Sequence, residues 1–146
     1  MKTSSRYITA CISIIIFLFA CMIYISNRSF DMILYKWLNI NTGNVIFSYL
    51  QQHAIPLPNW ALYNLPDGLW LFSYTLLIDA IWSKNNIKYY FIGIITLLIL
   101  ILEIAQMMHI FPGTGDILDI ASYLIALIIY SLYNIITYRY EKISKN

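Results

Sequence analysis

The sequence predicts an all-α, polytopic membrane protein. It should have four transmembrane helices, with short interfacial or re-entrant helices between the first and second spans. Three observations predict it. Of 146 residues, 60% are hydrophobic and only 11% charged, against about 45–50% apolar and about 25% charged in a soluble domain. The apolar residues gather in runs approaching the roughly 20 residues that cross a bilayer as a helix, without the alternation of barrel strands. The basic residues are segregated between those runs. A mean hydropathy of +0.68 excludes a soluble globule, because a chain this short cannot hide so much apolar surface from water. It also excludes disorder, which needs low hydrophobicity. A net charge of +2 with no basic stripe excludes a nucleic-acid binder. Residues 1–146 read as a single membrane domain with no internal repeat.

The first span covers about residues 7–26 and contains no charge. Lys2, Arg6 and the apolar run also fit a signal peptide, and Leu18 to Cys21 faintly resembles a lipoprotein cleavage site. Phe19 suits that site poorly, and apolar residues continue through Ile25, so a retained span is the expectation. Cys11 and Cys21 lie ten residues apart on one helix and cannot pair with each other.

The connection from Asn27 to Pro66 reads SFDMILYKWLNI, NVIFSYLQQH and IPLPNWALYNLP. The first two pieces suggest short helices with apolar faces, since a structureless loop of this length is unusual in a compact protein. Trp37, Trp60, Tyr63 and Trp70 suit the headgroup zone, where aromatic rings present one wet and one apolar side. Pro56, Pro58 and Pro66 break helices and separate this region from the second span.

The second span covers about 68–83, with Asp79 near one end, where Lys84 or solvent would satisfy it. The third covers about 89–110 and the fourth about 117–137, joined by a turn short enough to make them antiparallel neighbours. Cytoplasmic segments carry the Lys/Arg excess. Lys2 and Arg6, Lys84 and Lys88, and Arg139, Lys142 and Lys145 share one side, leaving Arg28 and Lys36 on the other. Both termini are therefore expected in the cytoplasm, with the long connection and the FPGTGD turn outside.

Ionisable groups within a bilayer cost roughly 2.5–3.5 kcal/mol at mid-helix, so each needs a reason. Glu103 and Gln106 share a face of the third span, with His109 drifting around it. Glu103 lies seven residues before the expected end of that span, roughly 10 Å deep. Asp116 and Asp119 share a face at the start of the fourth span, and Asp67 opens the second. These residues predict an outward-facing polar pocket, and Glu103, Gln106, Asp116, Asp119 and Asp67 are the candidate ligand-binding set. Simpler readings stand beside it. Asp116 suits an N-cap and Asp119 the third position of a capping box. Asp67 suits a helix start, and Gln106 suits contact between helices. Glu103 is too far from a helix start to be a cap.

The pattern Glu103-x-x-Gln106, a Pro112-Gly113 turn and Asp116-x-x-Asp119 resembles the VanZ-like family of small bacterial membrane proteins. In that family a helix ending in E-x-x-Q leads through a Pro-Gly-Arg turn to a helix starting with aspartates. Asp67 and the aromatic span after it (Trp70, Phe72, Tyr74) resemble its earlier motif, and the resemblance covers roughly 66–130. The chain departs from the pattern in three places. Gly113 or Thr114 stands where the family has Arg, Ser122 or Tyr123 where it has Asn, and the Lys and His after Asp67 are absent. The resemblance implies a multi-pass protein of the bacterial cytoplasmic membrane, with an outward polar site, in a family associated with glycopeptide resistance. It implies no reaction.

Three functions are compatible with these residues. The first is an envelope protein binding a lipid or cell-wall-related ligand through the carboxylates. The second is an intramembrane enzyme, with Glu103 as general base and Asp116 and Asp119 holding a divalent metal. The third is a small transporter or channel subunit, for which polar residues confined to one end leave no path through a lone bundle; an oligomer would be needed. No Ser-His or Cys-His pairing, His-rich metal spacing or phosphate-cradling loop is present, and no cofactor is expected.

Overall fold

The computed structural model describes residues 3–27, 45–54, 56–83 and 85–143. Every regular element among them is an α-helix: α1 (Thr3–Asn27), α2 (Val45–Gln52), α3 (Asn59–Tyr63), α4 (Leu65–Ile81), α5 (Ile87–Met107) and α6 (Ile117–Ile143). The helix expected in SFDMILYKWLNI lies outside the described residues, as do Lys2, Arg28, Lys36, Lys84 and Lys145.

Among the described residues, three helices are long and apolar enough to cross a membrane, over Ser5–Asn27, Ile87–Met107 and Ile117–Thr137. Their outward faces are apolar: Ile15 on α1, Leu97 on α5 and Ile128 on α6 are 65%, 59% and 59% exposed. Apolar exposure running the length of three helices is incompatible with water and matches lipid. The chain is therefore a helical membrane protein.

The second expected span is the exception. It is α4, only 17 residues long. Its N-terminus starts at Leu65, with Pro66 near the first helical position, where a missing N–H costs nothing. Pro66 thus begins the helix besides ending what precedes it. Asn64, not Asp67, occupies the N-cap position, and Asp67 sits in the first turn, at the positive end of the helix dipole. At the other end Trp82 leaves helical geometry before a polar connection.

α4 is the centre of the bundle. It packs on α1 and α6 and, less extensively, on α5. It is buried nearly all round, as a helix apolar on every side must be. Gly68 lets α6 approach closely, since a Cβ there would meet the Ser122 carbonyl oxygen at 3.0 Å. Two apolar clusters form the core. Leu71, Tyr123 and Ala126 form one; Leu76, Ile78, Ile92 and Tyr130 form the other. Both join α4 to α5 or α6, and Tyr123 near Glu103 with Tyr130 near Ile92 makes α5 and α6 antiparallel, as expected.

Polar contacts bind α1 to the bundle. Arg6 donates from Nε to the Ala80 carbonyl (3.0 Å) and from Nη2 to the Ile81 carbonyl (2.7 Å), capping the negative end of α4. Ser13 Oγ donates to the Ser73 carbonyl at 2.7 Å. Thr9 and Tyr133 hydroxyls meet at 3.0 Å, tying α1 to α6. α2 and α3 lie against α1, with Tyr49 and Trp60 exposed.

Asp79 corrects an expectation. It is neither solvated nor left to its own connection: it is buried and ion-paired with the buried Lys88 of α5, and Tyr130 Oη donates to it at 3.4 Å. The nine-residue spacing across the α4–α5 turn brings these two charges together. Polar groups therefore sit inside the bundle at both ends, with the apolar clusters between them.

Candidate functional site

The α5–α6 turn builds the opposite end. α5 stops at Met107 because His109 adopts φ 58°, in the left-handed region. The His109 N–H then reaches the Gln106 carbonyl and the Ile110 N–H the Ala105 carbonyl, both at 2.9 Å. This is a Schellman cap with histidine where glycine is usual. Its effect is to end the helix before the residue the apolar run suggested. Glu103 consequently lies four residues, about 6 Å, from the helix end, nearer than its expected position.

The returning chain is tightly folded under the helix end. A Cβ on Gly115 would meet the Met107 amide nitrogen at 2.5 Å and the Glu103 carbonyl oxygen at 2.8 Å. Gly113, at φ +145°, lies against the Gln106 side chain, which a Cβ would meet at 2.7 Å. Asp116 Oδ1 then accepts from the Leu118 N–H at 3.0 Å, capping α6 as its position predicts.

The five predicted residues fall into two groups. Asp67 of α4 and Glu103 and Gln106 of α5 line one cleft of about 340 Å³, with Trp70, Tyr74 and Tyr123. Asp116 and Asp119 lie behind it. Asp119 is buried and accepts from Asn64 Nδ2 at 2.7 Å; Asp116 Oδ2 is 3.5 Å from the same nitrogen. The two groups are close enough for the charges of Asp119 and Asp116 to act on Glu103. Asp67, Glu103 and Asp119 all act on Tyr123, which stands between them.

Within the cleft, Tyr123 Oη donates to Glu103 Oε1 at 3.4 Å. Glu103 Oε2 is buried and has no partner among the described residues, and the same is true of Trp70 Nε1–H. Trp70 is half-buried, with its ring 5.2 Å from that of Tyr24 and tilted by 40°. Trp60 and Tyr63 are exposed, in keeping with a place in the headgroup zone.

Tyr123, Trp70 and Asn64 are the site residues that sequence reasoning did not select. Tyr123 lies four residues after Asp119, on the same helical face, and that spacing was the available signal. Nothing local marked Asn64, whose partner is 55 residues away. Among the described residues no three His, Cys, Asp or Glu side chains group as a metal site. The pair Asp116 and Asp119 therefore gains no third ligand of those types there.

Comparison with family models, curated proteins and solved structures finds no match for the chain.

Proposed function

We propose that this chain is a divergent VanZ-like protein of the bacterial cell envelope that binds a lipid or cell-wall-related ligand in the Glu103 cleft. The observation carrying this reading is that Glu103 and Trp70, two residues lining one cleft, each keep a buried side-chain atom, Oε2 and Nε1, without a partner among the described residues. A buried polar group without a hydrogen bond costs about 1–3 kcal/mol. A ligand bearing both a donor and an acceptor removes both costs at once. The cleft volume of about 340 Å³ is in the range of small-ligand sites, roughly 300–1,000 Å³.

In this reading the protein sits in the cytoplasmic membrane with both termini inside, and α4 is a fourth, central span. Its 17 residues reach the lower limit of about 17–25 for a crossing helix, at about 25 Å. Its polar residues are tolerable there because neighbouring helices surround them. The cleft then opens at the outer surface, where envelope lipids and wall precursors are presented.

Glu103→Gln tests the reading. The variant should reach the membrane at the parent level and fail to restore growth of a deletion strain challenged with a cell-wall-directed antibiotic. Full restoration would sink the ligand site.

A further inference from the structure

Glu103 Oε2 and Trp70 Nε1 are shut off from solvent in this structure. An occupant of the cleft therefore reaches them only when one wall moves; this step rests on the reading of the Glu103 cleft as a ligand site. The walls come from α4, α5 and α6. α4 packs extensively on α1 and α6, and Gly68 brings it against the Ser122 carbonyl of α6. α5 is different. Along its apolar run 6% of residues are buried, against 22% for α1 and 17% for α6. A Cβ on Gly93 would meet nothing within 4 Å. Thr96 Oγ1, near the middle of the helix, is buried with no partner among the described residues.

α5 is fastened towards its ends instead. At one end the chain returning through Gly113 and Gly115 packs under it and leads into α6. At the other, Lys88 in the first turn of α5 pairs with Asp79 in the last turn of α4. Tyr130 of α6 donates to the same carboxylate oxygen at 3.4 Å, so three helices meet there. Nearby, the Phe91 ring stacks at 4.8 Å on Trp82, and Tyr74 Oη donates to the Phe91 carbonyl at 3.3 Å. Within lipid, apolar side chains gain little by leaving lipid tails for one another, so specific polar contacts set where such a helix sits. A buried ion pair is weak evidence for stability, and its best-attested role is to fix one arrangement. We propose that α5 is the movable wall of the Glu103 cleft and that the Asp79–Lys88–Tyr130 node is the clasp holding it shut. With the clasp released, α5 swings from α4 about its turn into α6, and the cleft opens sideways between α4 and α5. The chain from Ile81 to Ile87 reaches about 20 Å when extended, so the connection does not prevent the swing.

The experiment uses the full chain in nanodiscs, with Cys11 and Cys21 replaced and spin labels on introduced cysteines read by double electron–electron resonance. Ile15→Cys with Ile94→Cys reports α1 against α5, and Ile15→Cys with Ile128→Cys reports α1 against α6; all three side chains are exposed on the bundle surface. Asp79→Leu with Lys88→Met should displace the α1–α5 distance distribution from the parent's and leave the α1–α6 distribution unchanged. In the same variant a lone cysteine at Leu71, buried on the cleft wall, should react with N-ethylmaleimide about tenfold faster than in the parent, because the rate follows the population of the open state. Ile99, on the opposite wall, is the alternative position. Should the double variant not assemble, Tyr74→Phe with Tyr130→Phe removes two hydroxyl ties, keeps the ion pair, and should move both readouts the same way by less. An unmoved α1–α5 distance would overturn the clasp, as would unchanged thiol reactivity. Equal displacement of the α1–α6 pair would also overturn it, since the whole bundle would then have loosened. Inactive Glu103→Gln cells with an unmoved α5 would keep the site and remove the clasp. A fully active Glu103→Gln with a displaced α5 would keep the clasp and remove the ligand site.

Discussion

Asn64, just before α4, donates to Asp119, in the first turn of α6, at 2.7 Å, and both residues are buried. This contact joins the beginnings of two helices across 55 residues and holds one wall of the candidate site. Asn64→Ala leaves the carboxylate without this donor. The expected cost is about 1.5–3 kcal/mol, the usual worth of a hydrogen bond to a charged group. Asp119→Asn keeps an acceptor facing Asn64 and should cost less. Unfolding of the purified variants in detergent checks both. Equal stability of Asn64→Ala and the parent would show that the contact does not hold the helices.

Histidine at the left-handed cap of α5 is a position where a side chain is strained. An L-residue there costs about 1–2 kcal/mol relative to glycine. His109→Gly should therefore raise the melting temperature, and the β-branched His109→Val should lower it. Both changes are readable by thermal unfolding in micelles. The opposite order would contradict the cap.

The Asp79–Lys88 pair is enclosed, with side chains 3% and 10% exposed. Lys88→Met strands a buried carboxylate and should destabilise by about 3–5 kcal/mol. Replacing both, as Asp79→Leu with Lys88→Met, should recover most of that loss, because two desolvation costs disappear with the pair. A double-mutant cycle measures the difference. Simple additivity of the two changes would mean the charges are not coupled.

Thr114 and Asn85 lie at opposite ends of the bundle, and both are exposed. With Cys11 and Cys21 replaced, a single cysteine at Thr114 should react with a membrane-impermeant maleimide on intact cells, and one at Asn85 should not. The reverse pattern would invert the proposed topology.

Much of this architecture was legible from local sequence. Helices of about 20 apolar residues need no partner to declare themselves, because lipid forces every backbone group to bond within the segment. The cap at Asp116 was legible for the same reason: its hydrogen bond spans two residues. α4 was harder to read. Its Ser73, Thr75 and Asp79 look costly in a lipid-facing helix and become reasonable once the helix is seen to be enclosed. The burial of Asp79 against Lys88 follows from that enclosure, and Lys84 was the nearer partner in sequence.

By itself, the sequence determined that the chain is helical and membrane-embedded, and which carboxylates stand out against its apolar background. Hydropathy and helical spacing are short-range properties, written in consecutive residues. How those carboxylates are divided follows from packing between helices distant in sequence. The tertiary structure gave Asp119 to Asn64 and placed Asp67, Glu103 and Gln106 around a cleft with Tyr123 and Trp70. That division depends on how α4, α5 and α6 pack, and packing sets which distant polar groups find partners and which, like Glu103 Oε2, find none among the described residues.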